Sequence, residues 1–219
     1  MIETIRFNSV IPNVFVGSLP EGGPSDVWRQ VLCFHRGKSY LIEAASGRGK
    51  SSFCTFLCGL RSDYQGEIVL LDAQGHTISK SKNDGCILRR QSLAMMFQDH
   101  RLFPELTAVE NVMLKSLLTN FYSEEQIRRM LIKLGLQNRL DTPCARLSLG
   151  QQQRVAFVRT LAQPADFFLL DEPISHLDMA NAEIMSAMLK ERQQKDGAGV
   201  IVTSIGNRLP YEYENIIKL

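Results

Sequence analysis

The sequence lacks an excess of charge of either sign and has no long hydrophobic run. Its 219 residues contain 25 Lys and Arg against 23 Asp and Glu, which leaves a formal net charge of +2. This near balance gives no whole-chain indication of a nucleic-acid or anionic-membrane partner. No apolar run approaches the ~18 residues that a membrane-spanning helix needs, and the first residues lack the pattern of a signal peptide. We therefore expect a soluble, cytosolic chain that reaches a membrane only through a partner.

The sequence also has few cysteines, and their number is odd. The five are Cys33, Cys54, Cys58, Cys86 and Cys144. An odd number without a secretion signal indicates free thiols in a reducing compartment. Cys54 and Cys58 are spaced to share one face of a helix. A metal or redox pair is one interpretation, but no CxxC motif and no nearby histidine accompany it, so buried side chains in a core helix are favoured.

What the sequence does contain is an ordinary globular composition, with short apolar runs that alternate with helical patterns. Hydrophobic residues make up 44% and charged residues 22%, which excludes a mostly disordered chain. Four apolar runs predict strands: 40–44, 67–71, 167–170 and 200–203. Alternating strands and helices are typical of an α/β fold with a mainly parallel sheet. Residues 2–67 are expected to add antiparallel strands at one edge, and polar segments at 22–26 and 79–85 predict surface loops.

The middle of the chain differs from the rest. Residues 105–146 show helical patterns and no convincing strand. A capping-box pattern from Ser123 to Gln126 predicts a helix start, and Gly135 fits the position just after that helix. The length is about one and a half domains of ~150 residues. We therefore expect a helical subdomain inserted into an α/β core.

A phosphate-binding loop is predicted at residues 46–52. The segment reads Ser46, Gly47, Arg48, Gly49, Lys50, Ser51, Ser52. It follows a predicted strand and begins a predicted helix. The glycines and the N-terminus of that helix can therefore direct backbone N–H groups at phosphate oxygens. Lys50 would reach the β and γ phosphates, and Ser51 would offer its hydroxyl to Mg²⁺. The alternative is a glycine-containing loop with a surface lysine, and one departure is Ala44, where the motif has glycine.

A second part of the site is predicted where the apolar run at 167–170 ends in Asp171 and Glu172. Ligands bind outside the carboxyl ends of strands in open α/β sheets. Asp171 would hold Mg²⁺, and Glu172 would polarise the attacking water. The pattern is weak alone, but together with Lys50 it strongly indicates a nucleotide site.

One further segment carries a family resemblance. Residues 147–154 read LSLGQQQR, which is similar to the signature LSGGQxQR of the nucleotide-binding subunits of ABC transporters. Gly150 lies 22 residues before Glu172 (172 − 150), as in that family. The resemblance runs from residue 5 to 219. Residues 98–112 most resemble the subfamily of lipoprotein-release, macrolide-export and cell-division ATPases.

The resemblance implies a fold and an activity. The fold is α/β: a P-loop NTPase core with a mainly parallel sheet, an N-terminal antiparallel β subdomain and an inserted α-helical subdomain. Residues 1–219 would form a single cassette, with the core at 1–98 and 161–219 and the helical subdomain at 99–160. The activity is hydrolysis of ATP with Mg²⁺, coupled to transport.

The resemblance also implies residue roles. Two such domains would pair head to tail on ATP, as a homodimer or with another nucleotide-binding domain. Ser148, Gly150 and Gln151 of one domain would then face the γ-phosphate bound by the other. Gln98 would contact Mg²⁺ and the attacking water. Asp178 would connect the two sites across the dimer.

Adenine binding and hydrolysis carry open alternatives. Phe15 is the candidate for stacking on adenine, although ordinary edge packing explains it equally well. Ser204 stands where the family has a switch histidine, and Leu149 replaces a signature glycine. With Glu172, Gln98 and Ser204 as the catalytic set, we expect ATP binding with slowed hydrolysis. The alternative is a degenerate ATP-binding scaffold with little hydrolysis.

The partner implied by the resemblance is an integral membrane permease. Its cytosolic helix would dock near residues 98–112, which places the chain in the cytoplasm, on the inner face of the membrane. No nucleic acid is expected. A rival class is a soluble ABC ATPase of DNA repair or translation, but those chains usually carry tandem cassettes or long coiled coils, and 219 residues hold one cassette.

Overall fold

The computed structural model describes residues 1–17, 25–78 and 84–219. The predicted surface loops at 22–26 and 79–85 therefore lie mostly outside the described residues. The strands and helices are β1 Thr4–Pro12, β2 Val31–His35, β3 Ser39–Glu43, α1 Lys50–Leu57, β4 Tyr64–Leu71, α2 Asp84–Gln91, β5 Leu93–Met96, α3 Ala108–Leu117, α4 Glu124–Lys133, α5 Leu149–Leu161, β6 Phe167–Asp171, α6 Met179–Asp196, β7 Gly199–Ser204 and β8 Asn215–Lys218.

The predicted parallel sheet is confirmed. Its five strands lie in the order β5-β6-β7-β3-β8, and every neighbouring pair is parallel. β6 and β7 are buried along their whole length. Burial of both faces explains why these strands are continuous apolar runs rather than alternating ones. Three of the four strands predicted from apolar runs lie in this sheet.

The fourth predicted strand, at 67–71, belongs to β4 and lies in a separate antiparallel sheet of order β2-β1-β4. The β1–β4 register shifts between Asn8 and Ile11. Gly66 faces this irregularity with φ of 86°, and a Cβ there would lie 2.4 Å from the carbonyl oxygen of Ser9. Only glycine fits so close to a neighbouring backbone.

The predicted helical segment lies between β5 and β6 as α3, α4 and α5. α4 has the predicted capping box from Ser123 and Gln126, and Gly135 follows the helix with φ of 71°. α5 ends at Leu161, one residue beyond the predicted boundary at 160. One apolar cluster contains side chains of all three helices together with β6 and β7. The segment therefore shares its core with the sheet.

The cysteines are free thiols, as predicted. Cys54 and Cys58 are both buried in the core, and the Cys58 Sγ lies 3.3 Å from the Met95 Sδ. Burial raises the pKa of the Cys58 thiol to about 12. These features agree with the packing interpretation of the pair. Within the described ranges, no helix is both long and apolar enough to cross a membrane.

Candidate functional site

The predicted phosphate loop and acidic pair come together at one edge of the parallel sheet. β3 leads into the loop, and β6 ends at Asp171. β7 lies between these two strands and ends at Ser204. Because the three strands are parallel, their carboxyl ends meet at the same edge. That edge is where open α/β sheets bind ligands.

The loop has the backbone geometry of an anion site. Gly47 and Gly49 have φ of 78° and 98°, which residues with a Cβ rarely adopt. Ser46 and Gly47 are exposed, and Ser51 is exposed on the first turn of α1. Ser52 accepts a hydrogen bond from the Arg61 guanidinium at 3.2 Å. The free N–H groups of this first turn add the positive end of the helix dipole.

Lys50 lies across the loop. Its side chain is 5% exposed, and its Nζ donates to the carbonyl oxygens of Ala44 at 3.0 Å and Ala45 at 2.9 Å. The same Nζ is 3.7 Å from Oε1 of Glu172. Ala44 is not among the residues with positive φ, so the methyl group that replaces the motif's glycine introduces no left-handed strain.

The acidic pair is held by β7. Thr203 donates through Oγ1 to the Asp171 carboxylate at 2.5 Å, and its carbonyl accepts from the Glu172 N–H at 3.3 Å. Glu172 has φ of 50°, a strained value that is frequent at functional sites. Gln98 donates to Glu172 Oε2 at 3.1 Å. Burial, with a smaller effect of Asp171, raises the pKa of Glu172, whereas Lys50 opposes this.

The site residues fit Mg²⁺ bound together with a nucleotide. Ser51, Asp171 and Gln98 offer oxygen atoms, which this ion prefers. In the part of the chain that the structure describes, no three His, Cys, Asp or Glu side chains are grouped to hold a metal. Magnesium at phosphate sites commonly uses one or two protein ligands together with phosphate oxygens and water. Such a donor set therefore suits magnesium better than a metal that requires a complete protein cage.

The signature segment forms the start of α5. Ser148 is the N-cap: its Oγ accepts from the Gln151 N–H at 3.3 Å, and its N–H donates to Gln151 Oε1 at 3.0 Å. A Cβ at Gly150 would lie 2.7 Å from the His176 carbonyl oxygen. Gly150 therefore permits close packing of α5 on the 175–178 segment. Leu149 is 55% exposed, so its larger side chain costs nothing within this chain.

Gln153 is a site residue that sequence reasoning missed. It is 1% exposed, and its Nε2 donates to the Glu172 carbonyl and the Ser175 hydroxyl, each at 3.2 Å. Its Oε1 accepts from the His176 N–H at 3.0 Å. Its place in the signature segment was the one feature of the sequence that could have indicated this role. A buried amide with three partners fixes the chain just after Glu172.

Asp178 is the N-cap of α6. Its carboxylate accepts from the Asn181 N–H at 2.9 Å, and these bonds lower its pKa. Phe15 lies against the phosphate loop, since a Cβ at Gly49 would be 3.1 Å from its ring and 3.0 Å from that of Trp28. The ring of Phe15 also packs against the buried cluster that contains Trp28, as the edge-packing interpretation expects. The predicted roles of Asp178 and Phe15 stay predictions.

Ser204 lies at the end of β7, and its predicted catalytic role stays a prediction. It is 1% exposed, and its hydroxyl donates to the Asn207 carbonyl at 2.8 Å and accepts from the Gly206 N–H at 3.0 Å. Ser204 and Glu172 line the same cavity of 270 Å³. The Ser204 hydroxyl closes its own turn, so the predicted phosphate contact requires that turn to open.

Comparison with known proteins identifies the family. A family model described as ABC transporter matches residues 30–175. Three relatives are named lipoprotein-releasing system ATP-binding protein LolD. The one from Saccharophagus degradans is 36% identical, covering 73% of this chain and 71% of the relative. Those from Legionella pneumophila (strain Lens) and Novosphingobium aromaticivorans are 33% and 32% identical, covering 86% and 92% of this chain and 83% and 92% of theirs.

Solved structures of ABC cassettes share the fold. The ATP-binding cassette MJ0796, in a dimeric post-hydrolysis state with ADP and Pi, has a TM-score of 0.75 at 25% identity, over 93% of this chain and 88% of that one. Another dimeric structure of MJ0796, described as a bacterial ABC transporter cassette, has a TM-score of 0.78 at 24% identity, covering 98% and 94%.

These findings confirm the resemblance, the fold, ATP and Mg²⁺ as cofactors, and the ATPase activity. They give no support to the alternative of a degenerate scaffold. The local geometry agrees, because Lys50, Asp171 and Glu172 are all present and close together. The chain therefore belongs to the ABC transporter ATP-binding family, and it is an ATPase whose hydrolysis of ATP is coupled to transport.

Proposed function

We propose that this chain is the motor subunit of a complex in which it pairs on ATP and drives an integral membrane partner. The observation that carries the proposal is an apolar groove beside Gln98. The groove encloses 480 Å³. Four large apolar side chains of its lining are exposed: Leu60 by 40%, Phe103 by 54%, Leu114 by 39% and Leu118 by 58%. An exposed apolar patch of this kind is typical of a protein interface.

The lining indicates the chemistry of the occupant. Arg89, Lys115 and Arg159 contribute positive charge, and no Asp or Glu is among the lining residues that the structure describes. Burial lowers the pKa of Lys115. An amphipathic helix with an apolar face and an acidic residue would satisfy both features. A cytosolic helix of a membrane permease, docked near residues 98–112, is such an occupant.

A short series of contacts connects the groove to Glu172. Phe97 lines the groove and precedes Gln98, whose amide reaches Glu172. Arg159 donates to the carbonyls of His100 at 2.5 Å and Arg101 at 2.7 Å. His100 and Arg101 both have positive φ, so this segment depends on the bonds from Arg159. Movement of an occupant would therefore reach the site of hydrolysis.

Pairing on ATP would complete the site. Ser148, Gly150 and Gln151 would meet the nucleotide of the partner subunit, and Asp178 would connect the two sites. This is supported by the exposed N-terminus of α5 and by the dimeric state of MJ0796. The cassette would keep its core at 1–98 and 161–219 and its helical subdomain at 99–160. Similarity to LolD proteins supports a role in lipoprotein release or a related export process, at the inner face of the membrane.

Two measurements test the proposal. With Mg²⁺ and ATP, the Glu172→Gln variant should elute at twice the 24.7 kDa mass of the monomer, because unhydrolysed ATP holds the pair together. The tagged chain should also be purified from membranes of its host with a protein that contains several apolar segments of membrane-spanning length. A persistent monomer refutes pairing as a homodimer, and absence of such a protein refutes the membrane partner.

A further inference from the structure

The single tryptophan of the chain lies under the phosphate loop. Trp28 is 1% exposed and stands in the turn that precedes β2. The Ser25 hydroxyl accepts from the N–H groups of Val27 at 3.1 Å and Trp28 at 2.9 Å, which sets the backbone of this turn. The indole ring packs edge-on against Phe56 of α1, with ring centroids 6.5 Å apart. Trp28 is therefore held firmly from both sides.

The indole donates a hydrogen bond into the loop. Trp28 Nε1 lies 3.2 Å from the carbonyl oxygen of Arg48. That carbonyl and the N–H of Gly49 belong to one peptide group, which is trans. In a planar trans peptide the C=O and N–H point in opposite directions. Because the carbonyl points at the indole, the Gly49 N–H points away from it.

We propose that Trp28 is a positioning residue for nucleotide binding, because it holds the 48–49 peptide with its N–H directed to the phosphates. Gly49 has φ of 98°, and glycine can change its backbone angles at little cost. A rotated peptide would present the Arg48 carbonyl oxygen to the phosphates and repel them. The proposal rests on nucleotide binding at this loop and is independent of the membrane partner.

A pair of variants tests the hydrogen bond against mere packing. Trp28→Phe keeps an aromatic ring and removes the N–H, whereas Phe56→Leu removes ring packing on Trp28 and keeps the N–H. We expect Trp28→Phe to raise the KM for ATP about three- to tenfold, the range for one lost hydrogen bond. Its kcat should stay within about twofold, because the N–H contacts phosphate in both ground and transition states. Phe56→Leu should leave KM unchanged.

Each other outcome contradicts the proposal. An unchanged KM in Trp28→Phe would mean that the indole hydrogen bond does not affect nucleotide binding. An equal rise of KM in Phe56→Leu would mean that ring packing, and not the hydrogen bond, is responsible. If Trp28→Phe does not fold, an NMR measurement on the wild-type protein tests the proposal instead. Its one indole N–H resonance should exchange slowly with solvent and shift when Mg-ATP is added. Fast exchange, or no shift under saturation, overturns the proposal. A wild type that binds no ATP would overturn nucleotide binding itself.

Discussion

The edge of the sheet and the groove beside it are built in opposite ways. At the edge, buried charged groups are paired within the chain, as in Lys50 with Glu172 and Asp171 with Thr203. In the groove, Phe103 and Leu118 are more than half exposed. A buried charge without a partner costs several kcal/mol. The charged groups at the edge must therefore be paired within the chain before a ligand binds. The groove lining is mostly apolar and open to solvent, and its charged members are the cations Arg89, Lys115 and Arg159. Covering its apolar side chains with a partner would be favourable.

The largest effect expected is at the edge. Glu172→Gln removes the base and should lower ATP hydrolysis by about 10²-fold or more. ATP affinity should change little, because Lys50 loses its ion pair but keeps its bonds to the Ala44 and Ala45 carbonyls. Release of inorganic phosphate measures the hydrolysis rate, and a nucleotide-binding titration measures the ATP affinity. Glu183→Gln, an exposed position on α6, is the control. A variant that keeps half of the activity would mean that another group activates water.

The groove should show the reverse pattern. Leu118→Glu places a charge in the apolar lining and should weaken retention of the membrane partner about tenfold or more. Hydrolysis by the isolated chain should stay within about twofold, since the substitution is outside the edge. Ile132→Glu is the matched control, because Ile132 is 47% exposed on α4 and is absent from the groove lining. Equal retention of the partner by both variants would refute the groove as the docking surface.

Gln153 connects the signature helix to the edge, so its loss should affect both stability and rate. Gln153→Leu leaves the Glu172 carbonyl and the His176 N–H without partners. We expect the free energy of unfolding to fall by about 1–3 kcal/mol, together with a several-fold loss of kcat. Urea unfolding and steady-state hydrolysis measure these, with Gln194→Leu at an exposed position as control. A stability loss with unchanged kcat would limit Gln153 to a structural role.

Ser204 should show the smallest effect. Ser204→Ala removes the hydroxyl that closes the turn at Gly206 and Asn207, which is expected to cost about 1 kcal/mol of stability. Hydrolysis should change less than about twofold, because the hydroxyl is already bonded within that turn. A tenfold or larger drop in the hydrolysis rate would instead support the catalytic contact predicted from the sequence.

The parts predicted correctly from sequence are those set by local order. The loop between β3 and α1, the two acids at the end of β6 and the capping box of α4 depend on neighbouring residues. The strand at 67–71 was recognised, but an apolar run does not reveal which sheet it joins. Thr203, Gln153 and Trp28 were missed because their partners lie about 20 or more residues away. The backbone angle at Ala44, which decides whether a methyl group causes strain there, is not visible in the sequence.

α5 has a consequence for energy transfer. It is a rod of 13 residues, about 20 Å long at 1.5 Å per residue. Ser148 begins it where a second nucleotide site would be completed, and Arg159, near its other end, braces the segment beside the groove. If both sites bias the position of this helix, their affinities are coupled, and such coupling is reciprocal. Under the proposed function, any free energy that ATP-dependent pairing adds to binding of the membrane partner would equal the free energy that this partner adds to pairing.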